Sequence, residues 1–250
     1  KRVELELIVL DDHSSDRTLD VLRACDDPRL RVLQAPDLPE GWCGKTHACA
    51  LLAEAARHEL MLFVDADVRL RPDALGRLSA AMSARPDVAF LSGVPRQVMR
   101  TFLEWLLRPF IEVLLLGYLL MGFDSGQKPA LAAACGQLVL VRRSAYHSSG
   151  GHADIRNRLH DGLALARQFR TCGFKTMLFD ATDIASCRMY HRASDVWNGL
   201  LTNATYGMAT PRCLPVRTVL LGGAQVPPFL LPATRLTRPP TGDPALSPRP

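Results

Sequence analysis

The sequence predicts an α/β fold in which a mostly parallel sheet is flanked by helices. Short apolar runs typical of buried strands alternate with helical segments of about ten to fifteen residues, as in βαβ units. Hydrophobic residues make up 48% and charged residues 22% of the 250 residues, which excludes wholesale disorder. A chain of this length can also bury a sizeable core.

Six strands are predicted from short apolar runs. Glu4 to Leu10 ends in four apolar residues, and Glu59 to Val64 leads directly into an acidic turn. Continuous apolar runs of this kind are expected in strands that are buried on both faces. The other four strands are Leu30 to Leu33, Val88 to Leu91, Gln137 to Val141 and Phe174 to Phe179.

Helices are predicted from the spacing of apolar residues and from start signals. Asp16 to Cys25 follows Ser14 and Ser15, and either serine is a plausible N-cap. Pro72 stands at a first-turn position and opens a helix that runs to about Ala84. The other helices predicted for the α/β domain are Lys45 to His58, Asp161 to Thr171 and Ala193 to Tyr206.

The net charge of +5 and the pI of about 9.0 make the chain mildly basic. Its basic residues are scattered, without the tract that indicates a nucleic-acid arm, and a face turned toward anionic lipid would explain the balance equally well. The seven cysteines form no C-x-x-C pair, which favours reduced thiols in a cytosolic domain. No signal peptide is visible, and a start at Lys1 inside a strand suggests a fragment.

The apolar segment that follows the predicted strand Val88 to Leu91 predicts contact with a membrane. The segment 99–123 carries Glu104, Arg108 and Glu112 at spacings of four, on one helix face. An amphipathic helix on the membrane fits this pattern better than a spanning helix, and a core helix is the alternative. We expect a catalytic domain over 1–212, a marginal transmembrane segment over 214–233 and a disordered Pro-rich tail over 234–250.

Acidic residues follow two of the predicted strands. Asp65 and Asp67 form a D-x-D turn after the third strand, and Asp11 and Asp12 end the first. Ligands of open α/β sheets bind at the carboxyl ends of strands, where paired carboxylates can face one hard cation. A solvated turn is the alternative for the D-x-D, whereas helix capping leaves Asp11 and Asp12 unexplained.

Three further features have both a chemical and an ordinary interpretation. Lys45 in the first turn of a helix opposes the helix dipole, so either a phosphate or simple exposure explains it. Asp161 opens a helix and is either a general base or a capping residue. A basic-aromatic cluster that includes Arg188 and Trp197 could stabilise a leaving diphosphate or line a membrane interface.

In order and together, these motifs resemble the family 2 glycosyltransferases, which have a GT-A fold. The resemblance spans roughly Leu7 to Tyr206, and the W-x-G-K-x-x-A element and the Gly-Gly-His triplet are most similar to the membrane-associated branch that glycosylates carotenoid or hopanoid-type lipids. The matching segments are LDDHSSDRT, GWCGKTHA, FVDAD, GGHADIRNRLHDGLALAR and CRMYHRASDVW.

The resemblance implies a donor site for a UDP- or GDP-sugar. Asp11 and Asp12 match the acids that hold the nucleotide base and ribose, and Lys45 matches a lysine near the nucleotide. Asp65 and Asp67 match the D-x-D that binds the diphosphate through Mg²⁺ or Mn²⁺.

The resemblance also implies an inverting displacement at the cytoplasmic face of a membrane. Asp161 matches the expected base, and Arg188 and Trp197 correspond to a basic-aromatic element near the diphosphate and the acceptor channel. The implied acceptor is a hydroxyl or carboxyl of a carotenoid, hopanoid or polyisoprenoid lipid. No nucleic-acid partner is expected.

Three departures from the family pattern leave two other interpretations open. A first strand with its P-x-x-N-E turn is missing, the usual acid pair reads His160-Asp161-Gly162, and the chain stops near the first of several expected C-terminal membrane helices. The chain could therefore be a truncated, non-catalytic nucleotide-binding remnant. A nucleotidyltransferase on the same fold is the second alternative, and it would release pyrophosphate.

Overall fold

The computed structural model describes residues 4–102, 104–106, 125–189, 195–197, 199, 215–216 and 218–219. The chain divides into two units, residues 1–197 and 198–250, and nearly all of the described residues belong to the first. The predicted boundary at 212, the segment 214–233 and the tail 234–250 lie almost entirely outside the described residues and stay predictions. No helix in the described ranges is both long enough and apolar enough to cross a bilayer.

Nine strands and five α-helices are described in the first unit. In chain order the strands are β1 (Leu7–Asp11), β2 (Leu30–Gln34), β3 (Leu60–Val64), β4 (Val68–Leu70), β5 (Val88–Val94), β6 (Arg96–Gln97), β7 (Leu138–Arg142), β8 (Lys175–Asp180) and β9 (Ala185–Cys187). The helices are α1 (Thr18–Arg23), α2 (Gly44–Ala55), α3 (Ala74–Ser83), α4 (Arg143–Ser148) and α5 (Asp161–Thr171), with a short 3₁₀ helix at Pro129–Leu131.

All six predicted strands are present within a few residues of their expected bounds. Strands β4, β6 and β9 and helix α4 are additions, and the three strands have only two or three residues each, too few to show a period. The predicted serine N-caps of α1 were wrong. The helix starts at Thr18, and it is Asp16 Oδ1 that accepts a hydrogen bond from the Thr18 backbone N–H at 3.0 Å.

The central sheet has the strand order β3-β7-β5-β8 and is mixed. Strands β5 and β8 pair in parallel, whereas β7 is antiparallel to both of its neighbours. The α/β class is therefore confirmed, and three of the four strands (β3, β5 and β8) run in the same direction, with β7 as the reversed strand. Since β7 is reversed, its first residues lie at the edge where β3 ends, with Leu138 opposite Val64. This reversal positions one side of the site described below.

Two smaller sheets flank the central one. Strands β1 and β2 form a parallel pair, in which Asp11 lies opposite Gln34. The second small sheet has the order β4-β9-β6, with β9 antiparallel to β4 and parallel to β6. Strand β4 follows directly after the D-x-D turn, so its pairing with β9 holds the far side of that turn.

The core lies on both faces of the central sheet. Phe90 and Val141 belong to one buried hydrophobic cluster, whereas their strand neighbours Leu91 and Leu140 belong to another. Successive side chains of a strand point to opposite faces, so both faces of β5 and β7 are covered. Phe90 packs edge-on against Phe169 of α5, with ring centroids 5.2 Å apart. This double burial explains why the strands read as continuous apolar runs.

The predicted membrane-interfacial helix is described only at its start, up to residue 106. The Thr101 hydroxyl accepts a hydrogen bond from the Glu104 N–H at 3.3 Å, and the Glu104 carboxylate accepts one from the Thr101 N–H at 2.7 Å. This is a capping box. Glu104 is buried, whereas the prediction of a shared face with Arg108 and Glu112 concerns residues outside the described ranges. Phe102, Trp105 and Leu106 are instead 80%, 61% and 58% exposed.

Candidate functional site

The D-x-D turn lies at the carboxyl end of β3. The Asp65 N–H donates to the Gln137 carbonyl at 3.1 Å, which extends the β3–β7 ladder by one step. The Asp65 carbonyl then accepts a hydrogen bond from the Val68 N–H at 3.0 Å, closing a tight turn into β4. The Asp65 carboxylate is half-buried and that of Asp67 is exposed. Both acids are therefore at the sheet edge predicted for ligand binding.

Helix α2 brings a lysine to this edge. Its start is anchored to the Arg156 carbonyl, which accepts hydrogen bonds from the Cys43 N–H and from the Thr46 hydroxyl, both at 2.7 Å. One residue into the helix, Lys45 Nζ lies 2.9 Å from Asp65 Oδ1 and 3.2 Å from Asp161 Oδ2. A lysine in a first helical turn opposes the helix dipole, and these two carboxylates explain its position.

The charges of this cluster support one another. Burial acts to lower the pKa of the Lys45 ammonium, but the carboxylates of Asp161 and Asp65 outweigh burial and raise that pKa, so the lysine stays charged. For Asp65 the balance is reversed, because burial raises its pKa more than Lys45 lowers it. The Lys45 ammonium thus bridges Asp65 and Asp161, two acids from distant parts of the chain.

Asp161 is the first residue of α5 and is buried. A Cβ on Gly136 would lie 2.9 Å from Asp161 Oδ1, and a Cβ on Gly162 would lie 2.6 Å from the Gly136 nitrogen. The two glycines therefore allow α5 to begin directly against the residues that precede β7. Since β7 enters the sheet at the edge where β3 ends, this contact brings Asp161 to the D-x-D edge.

We expect Gly162→Ala to destabilise the fold by about 1–3 kcal/mol, the usual cost of overpacking, because the new methyl meets backbone atoms that cannot rotate away. Gly76→Ala in α3 is the matched control, since a Cβ there meets nothing within 4 Å and should stabilise the helix by up to about 1 kcal/mol. Urea unfolding of both variants measures the difference. Equal stabilisation by both alanines would contradict the close approach of α5 to Gly136.

The acids at the end of β1 are the other predicted donor-site residues, and Asp12 lies near the start of α2. Asp11 is buried, and its Oδ1 has no hydrogen-bond partner among the described residues. Asp12 is exposed, and its Oδ2 lies 3.5 Å from where a Cβ on Gly44 would be. A buried acceptor without a donor is costly, so Asp11 has an oxygen available for a ligand. The structure thus places Asp12 beside Gly44, the residue that precedes Lys45. The order of these residues in the sequence does not require this proximity.

Arg188 and Trp197 are not brought to this cluster by any contact among the described residues. Arg188 Nε is buried without a partner in the described ranges. Burial acts to raise the pKa of Glu104, but hydrogen bonds from the backbone N–H groups of Arg100 and Thr101 outweigh burial and lower that pKa. The charge of Arg188 lowers it further. Trp197 is 57% exposed. Their predicted role beside the diphosphate and the acceptor stays a prediction.

Two side chains near Asp161 were not assigned from the sequence. His152 is buried, and burial lowers the pKa of its ring to about 4, so the imidazole is neutral. Burial also raises the pKa of the Cys49 thiol to about 12. One ligand atom from each of these residues and one from Asp161 lie within 4.8 Å of one another. The Gly-Gly-His triplet contained the signal for His152, whereas Cys49 gave none.

Comparison with known proteins adds a family and a relative. Residues 1–150 match the sequence model of Glycosyl transferase family 2. The 4,4'-diaponeurosporenoate glycosyltransferase of Staphylococcus aureus is 27% identical over 192 residues, which are 76% of this chain and 50% of the relative. The chain therefore spans about half the length of the curated relatives it matches.

Two solved structures have a similar fold. The mannosyltransferase PcManGT from Pyrobaculum calidifontis, in complex with GDP-Man and Mn²⁺, has a TM-score of 0.58 at 19% identity and covers 93% of this chain and 70% of its own. Glucosyl-3-phosphoglycerate synthase from Mycobacterium tuberculosis, with Mn²⁺ and UDP, has a TM-score of 0.50 at 18% identity and covers 83% and 68%. At these identities the likeness shows the fold alone, and it confirms the predicted GT-A class.

Proposed function

Since the chain belongs to glycosyl transferase family 2, whose sequence model matches residues 1–150, we propose that it is an inverting glycosyltransferase. In this proposal a sugar moves from a nucleotide-diphospho-sugar to a hydroxyl or carboxyl of a lipid-like acceptor. The observation that carries the proposal is the Lys45 ammonium, 2.9 Å from Asp65 and 3.2 Å from Asp161. Asp65, which is suited to the donor diphosphate, and Asp161, which is suited to the acceptor, thus contact the same ammonium group.

The donor half of the site uses the acids at the two strand ends. Asp11, with its unpartnered buried oxygen, is suited to accept a hydrogen bond from a base N–H or a ribose hydroxyl, and Asp12 is suited to the same ligand. The ammonium of Lys45 is suited to a diphosphate oxygen. The proposal is supported by the solved relative of similar fold that binds GDP-Man and Mn²⁺.

The D-x-D carboxylates fit a hard divalent cation. Asp65 already has the Lys45 ammonium against it, and Asp67 is exposed with no ion pair among the described residues, so oxygen ligands are available at the turn. Asp65 and Asp67 would hold Mg²⁺ or Mn²⁺, which supplies positive charge to the departing nucleoside diphosphate. Lys45 adds to that charge, and Arg188 is proposed to do the same.

Asp161 is proposed as the base. In a single displacement it would take the proton of the acceptor hydroxyl as that oxygen attacks the anomeric carbon and the bond to the diphosphate breaks. The close packing of Gly162 in α5 against Gly136 holds this carboxylate in position before the substrate binds. Trp197 is proposed to contact the acceptor.

The acceptor is proposed to be a lipid that is reached from the membrane surface. The named relative is a 4,4'-diaponeurosporenoate glycosyltransferase, and its name denotes a carotenoid acid. The exposed Phe102, Trp105 and Leu106 form the apolar side of a helix start, which is suited to lie in the headgroup region. We propose that the protein is membrane-associated in this way, with its catalytic domain on the cytoplasmic side.

Trp105→Glu is expected to weaken binding to anionic vesicles by roughly thirtyfold, since losing one inserted aromatic side chain removes about 2 kcal/mol of transfer free energy. Co-sedimentation with vesicles measures the effect. Trp105 is 61% exposed, so the melting temperature should not change. The control is Val21→Glu on α1, which alters an apolar side chain that is 64% exposed. Unchanged sedimentation of the Trp105 variant would place the membrane contact elsewhere.

The test of the proposed reaction is product analysis with labelled UDP- and GDP-sugars, Mn²⁺ and a lipid extract that contains hydroxyl and carboxyl acceptors. A glycosyltransferase moves the sugar label into the lipid phase and releases the nucleoside diphosphate in equal amount. Release of pyrophosphate from a nucleoside triphosphate would instead identify a nucleotidyltransferase. Nucleotide binding without either product would identify a non-catalytic binding protein, and the proposed reaction would be wrong.

A further inference from the structure

Three side chains that differ in chemistry lie close together, and one of them is the proposed base, Asp161. Cys49 comes from α2, His152 from the turn after α4, and Asp161 from the start of α5. One ligand atom from each lies within 4.8 Å of the other two, and both His152 and Asp161 are buried. We name these residues the Cys49–His152–Asp161 cluster.

The ligand atoms of this cluster differ from those of the D-x-D turn. A thiol sulfur, an imidazole nitrogen and a carboxylate oxygen are the atoms that bind Zn²⁺, whereas the all-oxygen set of Asp65 and Asp67 suits Mg²⁺ or Mn²⁺. Ligand atoms about 2.0–2.3 Å from a tetrahedral zinc are about 3.3–3.8 Å apart. The separations in the structure, up to 4.8 Å, are larger than these values, so binding would draw the three side chains together.

The imidazole is held by a second layer of contacts. The Tyr146 hydroxyl lies 2.9 Å from His152 Nδ1 and accepts a hydrogen bond from the His152 backbone N–H at 3.0 Å. The Phe63 ring packs edge-on against the imidazole, with centroids 5.2 Å apart. With Nδ1 engaged by Tyr146, Nε2 is left for the cluster. An oriented, neutral histidine with one nitrogen tied to a polar partner is the usual arrangement of a metal ligand.

The charges around the cluster favour one more cation. Lys45 faces the carboxylates of Asp65 and Asp161, so one negative charge is left over while the Cys49 thiol is protonated. A divalent ion that releases the thiol proton to water would bring the sum of these charges to zero. Lys45 is bound to Asp161 through Oδ2, and Asp161 Oδ1 accepts no hydrogen bond from the described residues.

We propose that the Cys49–His152–Asp161 cluster binds Zn²⁺, with a water in the fourth position, and that bound Zn²⁺ inhibits the enzyme. The inhibition rests on the proposed function, because Asp161 cannot take a proton from the acceptor while it ligates a metal. The binding itself does not rest on that function. The ligands of this site differ from those of the D-x-D turn, and its metal has the opposite effect, since the Mg²⁺ or Mn²⁺ proposed for that turn supports the reaction.

The test is titration of the whole chain with Co²⁺, which replaces Zn²⁺ and reports a thiolate ligand by a charge-transfer absorption in the near ultraviolet. We expect this absorption in the wild type and its displacement by stoichiometric Zn²⁺. It should be lost in Cys49→Ser and in Cys49→Ala, with at least about a 100-fold loss of Zn²⁺ affinity. Tyr146→Phe should weaken binding by roughly 10- to 100-fold, the usual effect of removing an outer partner.

Two controls separate this site from other metal sites. Cys172→Ser changes an exposed free cysteine and should keep the absorption, as should Asp65→Asn/Asp67→Asn, whose site contains no sulfur. Absence of the band in the wild type, or its persistence in both Cys49 variants, would overturn the proposal. Melting curves of both Cys49 variants verify that a lost band does not reflect unfolding.

An activity measurement tests the inhibitory role separately. With Mn²⁺ in excess, added Zn²⁺ should lower turnover of the wild type at least tenfold, and the ratio of turnover with and without Zn²⁺ should return toward one in Cys49→Ser. A cobalt band without any glycosyl transfer would support the zinc site and reject the proposed function. Equal inhibition of both proteins would reject the inhibitory role of the cluster.

Discussion

An Asp161→Asn variant is expected to transfer sugar to a hydroxyl acceptor about 10²- to 10⁴-fold more slowly than the wild type, which is the usual contribution of a general base. The amide keeps the volume of the side chain but cannot accept a proton. Asp161 is buried and packed against Gly136, so a change of similar shape should leave α5 in place. Steady-state turnover and donor binding, measured on the same preparation, separate the two effects.

Donor affinity of the Asp161→Asn variant should stay within a few-fold of the wild type, since Lys45 keeps its 2.9 Å contact with Asp65. A carboxyl acceptor is already ionised at neutral pH and needs no base, so the loss with such an acceptor should be much smaller. The control is Asp87→Asn, which removes an exposed acid before β5, at the opposite edge of the sheet. Unchanged transfer to a hydroxyl would remove Asp161 as the base.

Asp67→Asn is expected to abolish the Mn²⁺-dependent stabilisation of the protein by its nucleoside diphosphate. Ligand at about 100 times its Kd adds about 2.7 kcal/mol, or roughly 5–10 °C in melting temperature for a domain of this size. Asp67 is exposed and makes no ion pair with the described residues, so the substitution removes the proposed metal ligand and little else. Thermal melting with UDP and with GDP, each with and without Mn²⁺, measures the loss.

Asp67→Asn is a cleaner test than Asp65→Asn, because Asp65 also holds Lys45 through an ion pair and a hydrogen bond. Without ligand, the Asp67 variant should melt at the temperature of the wild type. Asp87→Asn serves again as the control, because an exposed ion pair such as that of Asp87 with Lys175 contributes little to stability. A Mn²⁺-dependent shift of normal size in the Asp67 variant would place the metal elsewhere.

Much of the chain could be predicted because its signals are local. The apolar runs of β3 and β8 and the helix α5 (Asp161–Thr171) appear close to their predicted bounds. The acids of the D-x-D turn come directly after a strand, and the carboxyl ends of strands in an α/β sheet are where ligands bind. These inferences need only a few consecutive residues and the period of a strand or helix.

Signals that depend on distant residues were missed or misjudged. The alternation of strands and helices predicted a mostly parallel sheet but did not identify β7 as its reversed strand, because the apolar residues of a strand do not indicate its direction. Glu104 looked polar by spacing, yet its carboxylate turns back to cap the helix and is buried. Cys49 and His152 are single residues 103 positions apart in the sequence, and no periodic pattern could pair them.

The sequence by itself determined the α/β elements, the acidic strand ends and the kinds of side chain available to the site. Only the tertiary structure decided that Lys45 joins Asp65 to Asp161, and that Cys49 and His152 lie beside the same carboxylate. The physical reason is that a burial pattern involves only consecutive residues, whereas contacts between residues far apart in the sequence depend on the order and direction of the strands. The reversed β7 carries Gly136 to the edge where β3 ends, and Gly136 is what Asp161 packs against.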